Sequence, residues 1–374
     1  MNKQADFIGD NLKLARMMSE MTLSELGETL SVSRQYIHKL ENSDTVPTQE
    51  VVAALAWELG VKPKFFYEDL YVPITRDECH FRSVKSAKVS SKRACQARAT
   101  LLSAFVSELE RVVELPEVTF PEFNIEPDLP NAVEILASRV REHFGLSDGP
   151  IKSLTRVVEN AGVLVTSFGD LTEKVDALSI HRRRPLIILN SNKSRSRIRM
   201  DIAHEFGHLV MHRGIETGDM ETENQANRFA SALLLPSHKL AEEYDNRNQR
   251  RLNWDSIYKI KVKWGISAQA IVYKLNQVGL ISPSMYKRAN IYFSKTGQRK
   301  MEWSEDNVFE EYSTILDESL KLLHQSEYNE LLNELLERST FTSKLLKEIT
   351  NSTVFESFNF NSKRENVLEL VKAG

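Results

Sequence analysis

The run His204-Glu205-Phe206-Gly207-His208 packs two imidazoles and a carboxylate into five residues. On a helix, positions i and i+4 lie one turn apart on one face, so His204 and His208 can reach a single metal ion. Glu205, beside the first histidine, is placed to orient a water on that ion and take its proton. Zinc brings the pKa of such a water to about 7 and so makes a nucleophile at neutral pH. A structural zinc closes four protein ligands, whereas a catalytic one keeps a position open. A site of the closed kind has no use for Glu205.

Two residues compete to be the third ligand. Glu223 opens Glu223-Asn224-Gln225-Ala226-Asn227 on the following helix, where small Ala226 permits close helix approach. Asn227, one turn on, can hydrogen-bond a ligating histidine from behind. His212 is the rival, four residues beyond His208. A straight helix places it further along the axis, and three ligands in one such row cannot easily surround an ion. In the arrangement with a third histidine on the same segment, a glycine turns the chain first; here Gly214 follows His212. The spacing favours Glu223, with His212 packing or supporting.

The motif needs a buried helix. Ile198, Ile202, Phe206, Leu209 and Val210 supply an apolar stripe at helical spacing and predict a helix over 194–212. A second helix is expected over 221–235, stopped by Pro236. Upstream, helices are expected over 131–144 and 151–161, then strands over 162–168, 175–180 and 185–190, the last two joined by the basic turn 181–184. Helices over 254–263 and 267–278 have a helix–turn–helix rhythm. Their exposed side chains do not form a basic face, and they are expected to pack within the metal-binding domain. The last ninety residues are polar and helical in pattern.

Residues 7–68 read as five short helices. Thr22 and Glu25 form a capping box for the second, and Ser33 caps the third, with Ile37 and Leu40 facing inward. Pro47 and Thr48 open the fourth, which buries Val52, Leu55 and Leu59, and Gly60 ends it. Residues 73–128 are expected as a basic connector, helical over 90–115 and then extended through Pro116, Pro121, Pro127 and Pro130.

With 49 basic and 52 acidic residues the chain is close to neutral, but unevenly so. Residues 1–70 carry seven Lys/Arg and eleven Asp/Glu, residues 76–99 seven and two, and residues 182–199 seven and none. Such basic stretches can track phosphates, although a solvated face is their commoner meaning. Two cysteines are too few for a disulfide framework and suit a reducing cytoplasm. No run of eighteen apolar residues or signal-type segment occurs, so neither a membrane span nor export is expected.

MDIAHEFGHLVMHRG followed by ENQANRFASALLLP resembles the ImmA/IrrE family of metallopeptidases, whose pattern is HExxH and then ExxAN-x-FA-x-x-LL-x-P. Every position of that pattern is met, and the resemblance covers roughly residues 130–280. It implies zinc held by His204, His208 and Glu223, with Glu205 as catalytic base. Gluzincin-like sites of this kind commonly take substrate as a strand added to a sheet edge, and the 175–190 hairpin is the expected edge. TLSELGETLSVSRQYIHKLENSDTVPT resembles the helix-turn-helix of the Xre/Cro repressors, with Ser33, Arg34, Gln35, Tyr36, His38 and Lys39 on the recognition helix. Arg suits guanine and Gln suits adenine. Ser31 stands where these turns usually carry Gly, at a position favouring positive φ. The acidic balance of residues 1–70 is also unusual for a DNA binder.

The expected fold class is α+β, mainly α. A five-helix helix-turn-helix bundle (1–72) and the connector (73–128) precede a gluzincin-like peptidase domain with a small sheet and two metal-ligating helices (129–282), and a helical region (283–374) follows. The expected function is a cytoplasmic, DNA-binding zinc endopeptidase that cleaves an Xre-type repressor in stress or mobile-element control and binds operator DNA. A homodimer would double its DNA contacts. The alternative is a helix-turn-helix regulator or antitoxin whose metal site is structural or only senses.

Overall fold

A computed structural model of the chain describes residues 6–69, 71–75, 77–83, 89–120, 131–168, 175–245, 251–299 and 301–356. The boundary expected at 128 and the prolines at 121, 127 and 130 lie outside the described residues.

The N-terminal helices are α1 (Gly9–Met18), α2 (Leu23–Thr29), α3 (Arg34–Glu41) and α4 (Gln49–Glu58), closed by a 3-10 turn at Pro63–Tyr67. Thr22 accepts from the Glu25 amide while the Glu25 carboxylate accepts from the Thr22 amide, the reciprocal cap that the spacing predicts. Between α2 and α3, Ser31 takes φ 56°, the left-handed conformation glycine would adopt more cheaply. At Gly27 a Cβ would stand 2.8 Å from the Val32 carbonyl, so a glycine is required there for the two helices to meet.

β1 (Cys79–Ser83) and α5 (Val89–Leu109) follow, then α6 (Ala132–His143), α7 (Leu154–Asn160), β2 (Leu164–Ser167), β3 (Val175–Ile180) and β4 (Leu186–Leu189). The sheet has the order β1-β3-β4-β2, with β2 parallel to β4 and the other pairs antiparallel. This corrects one expectation. The 175–190 hairpin is not a free edge: β1 covers β3 on one side and β2 covers β4 on the other. An exposed β3 would present a row of unpaired amides and carbonyls, and β1 satisfies them.

The metal-motif helix α8 (Arg195–Met211) packs on the sheet and against α9 (Met220–Leu234). Then come α10 (Ser237–Glu243), α11 (Trp254–Trp264), α12 (Ala268–Gln277) and α13 (Pro283–Lys295), followed by α14 (Ile315–Leu323), α15 (Asn329–Arg338) and α16 (Ser343–Thr350).

Strand side chains alternate between faces, so the sheet divides two cores. Val165, Ala177 and Ile187 join α6 to α9 and α11 to α13. Leu178, Ile180 and Ile188 face the other way, into a core shared by α1 to α5 and α14 to α16. The expected connector therefore supplies a strand and a core helix, and the C-terminal region packs on the helix-turn-helix bundle. There the Lys62 ammonium donates to the Leu336 carbonyl at 2.6 Å and the Lys62 amide to the Thr340 carbonyl at 2.8 Å.

The basic stretch 182–199 is mostly not a phosphate track. Arg182 pairs with Glu78, Arg184 with Glu110, Lys193 with Asp176 and Asp201, and buried Arg199 with Glu311. Its charges tie elements together.

Candidate functional site

His204, Glu205 and His208 are each 0% exposed on α8. The next helix reaches them because Gly207 has no side chain: a Cβ there would meet the Phe229 ring at 2.8 Å. Ala226, also fully buried, completes the close approach of α9. Glu223 then lies 3.5 Å from His204 Nε2 and 3.4 Å from His208 Nε2, and the two Nε2 atoms stand 3.1 Å apart. Among the described residues these three form the cluster that could hold a metal.

The surrounding hydrogen bonds fix what those atoms offer. Asn227 Nδ2 donates to the Glu223 carbonyl at 2.8 Å, so its Oδ1 accepts from His204 Nδ1–H at 3.1 Å. Gln225 Nε2 points to Glu221, so its Oε1 accepts from His212 Nε2–H at 2.8 Å. That leaves His212 Nδ1 to accept from His208 Nδ1–H at 2.8 Å. Burial lowers the pKa of His212, which fits its neutral form. Both Nε2 atoms therefore turn lone pairs toward each other and toward a carboxylate.

Three acceptors converging in this way repel unless a cation lies between them. Ligands about 2.1 Å from a tetrahedral zinc stand about 3.4 Å apart, close to the observed separations. The residues fit a divalent metal. His212 lies outside this cluster and meets His208 Nδ1 from behind.

Two further residues had weak signals or none in the sequence. Ser179 on β3 donates to Glu205 Oε2 at 2.6 Å; a serine between Leu178 and Ile180 was its only trace. His80 on β1 stands directly opposite Ser179. Its ring stacks on that of His208, with centroids 5.0 Å apart and planes 13° apart. Its Nδ1 meets Thr217 Oγ1 at 2.7 Å, and among the described residues its buried Nε2 has no hydrogen-bond partner. Burial, then the neighbouring imidazoles, depress its pKa to about 3, so it is neutral.

On the other domain, Ser33 caps α3 by accepting from the Tyr36 amide at 3.1 Å. Arg34, Gln35, His38 and Lys39 are exposed, while Tyr36 is half-buried against the core. A short amphipathic helix with its apolar side fixed thus presents four polar side chains together.

Residues 12–66 match the model of a helix-turn-helix domain, and residues 158–276 match that of the IrrE N-terminal-like domain, a peptidase family. The chain joins a DNA-binding helix-turn-helix to an IrrE-like peptidase domain. No curated protein matches it. The IrrE-like segment runs from within α7 to the end of α12 and contains His204, Glu205, His208 and Glu223. It does not contain β1. The 254–275 pair falls within the IrrE-like segment and packs there, as expected. Among the described residues no helix is long and apolar enough to cross a membrane.

Proposed function

We propose that this chain is a zinc endopeptidase acting on a protein regulator, brought to or acting at DNA by its helix-turn-helix. The observation that carries this reading is the convergence of two imidazole Nε2 atoms and a carboxylate within 3.1–3.5 Å, one helical position from a buried glutamate. His204, His208 and Glu223 would hold the ion. When bound, it would supply polarisation of the scissile carbonyl and acidification of the attacking water. Glu205 takes that proton and returns it to the departing amine. Ser179 holds Glu205 in place through Oε2, and Asn227 and His212 fix the imidazole tautomers. The resemblance to ImmA/IrrE enzymes points to an Xre-type repressor as substrate.

Purified protein should carry one equivalent of zinc, cleave an Xre-type repressor encoded beside it, stop when the metal is chelated and recover when zinc returns. A chain holding no stoichiometric metal, or cleavage indifferent to chelation, would refute the reading.

We propose the exposed face of α3, with Arg34 and Gln35 at its N-terminal end, as the base-reading surface. Arg34→Ala and Gln35→Ala should each weaken binding to the operator by about 10- to 100-fold, corresponding to roughly 1–3 kcal/mol per lost bidentate contact. Gel shifts against operator and scrambled DNA would measure it, and equal loss on both sequences would reduce these residues to phosphate contacts.

A further inference from the structure

We propose that β1 fills the slot in which an extended substrate would pair with β3, so that the chain holds its own site closed until Cys79–Ser83 leaves. This rests on the peptidase reading and adds its regulation.

The slot is defined by the IrrE-like segment itself. Its own strands run β3-β4-β2 and leave the outer side of β3 open; β1 comes from outside the segment and pairs there antiparallel. An extended peptide adds to an exposed edge through the same main-chain bonds. The register sets His80 opposite Ser179, the residue that holds Glu205, and lays the His80 ring over His208. With β1 in place His204, Glu205 and His208 have no exposed surface, and the cluster meets solvent only at Glu223, whose side chain is 28% exposed.

The strand is also fastened where it enters and above the site. Arg182 binds the Glu78 carboxylate and the carbonyls of Val72 and Pro73, and the His181 amide donates to the Glu78 carbonyl at 2.8 Å. Thr217, in the loop after α8, holds His80. These are polar clasps, with 17% of the Arg182 and 28% of the Glu78 side chain open to water.

The test locks the strand. Cys79 pairs with Ile180 across the ladder. Opposed antiparallel residues have Cα atoms about 4.5–5.5 Å apart, within disulfide reach, so Ile180→Cys supplies the missing thiol. Peptide mapping identifies the bridge and excludes pairing with buried Cys95. The zinc-loaded full chain, oxidised with diamide or reduced, is assayed for cleavage of unfolded casein and for the rate at which a chromogenic chelator strips zinc. The oxidised form should be at least tenfold slower in both, and reduction should restore both. Thr217→Val, which only removes the hydroxyl on His80, should make both several-fold faster than in the unaltered chain. It carries the test if Ile180→Cys does not fold. Equal rates in locked and reduced protein, or no change in Thr217→Val, would overturn the inference. Casein left intact by every form, while stripping still follows the lock, would leave the strand's role standing and count against the peptidase.

Discussion

Glu205→Gln should lose roughly 100- to 10,000-fold in cleavage rate, the range a positioned general base contributes, while zinc content and thermal stability stay unchanged. The replacement is isosteric. Ser179 can still donate to the amide oxygen as it does to Glu205 Oε2 at 2.6 Å, so the buried site keeps its packing. Glu205 is also outside the cluster of His204, His208 and Glu223 that could hold the metal, so the ion should bind as before. His204→Ala would confound chemistry with metal loss, and the glutamine separates them. Single-turnover cleavage alongside metal analysis reads both quantities. Unreduced cleavage with zinc bound would remove Glu205 from the mechanism; zinc bound with no cleavage by the unaltered chain would favour a regulator whose metal is not catalytic.

The largest stability effect is expected at Glu311. Its side chain is 1% exposed and pairs with Arg199, itself 0% exposed, on the helix that carries the metal motif. Arg199 also donates to the carbonyls of Gly265 at 3.1 Å and Ile151 at 2.7 Å. Glu311 accepts from the amides of Leu154 and Thr155 at 3.0 and 2.9 Å, capping α7. Glu311→Ala would leave a guanidinium buried without its counter-charge and uncap that helix. Breaking a buried pair from one side costs about 3–5 kcal/mol, and denaturant unfolding should register a loss of that size. The double change Arg199→Met with Glu311→Leu should recover much of it, because apolar residues of similar volume leave no charge stranded. A loss below about 1 kcal/mol in the single variant would mean that water reaches the pair.

The five helices of residues 7–68 were legible because their signals are local. Caps, apolar spacing and stops such as Gly60 act within a turn or two of chain. The 254–275 pair reads as packing because its exposed side chains form no basic helix face. β1 was not legible. Five residues with two apolar side chains on one face resemble many loops, and only pairing with β3, about a hundred residues on, makes them a strand. The basic stretch 182–199 misleads in a related way: its partners Glu78, Glu110 and Glu311 are remote in sequence, so its charges looked unspent.

By itself the sequence determined the pair of imidazoles, the neighbouring carboxylate and their common helix, because one turn of an α-helix fixes that geometry whatever surrounds it. Glu223 was inferable from the following helix, but its approach depends on Gly207 and Phe229 meeting across α8 and α9. Only the tertiary structure decided which hydrogen bonds turn the lone pairs inward, that Ser179 holds Glu205, and that His80 covers His208. Those facts depend on contacts between segments far apart along the chain, which local residue spacing does not encode.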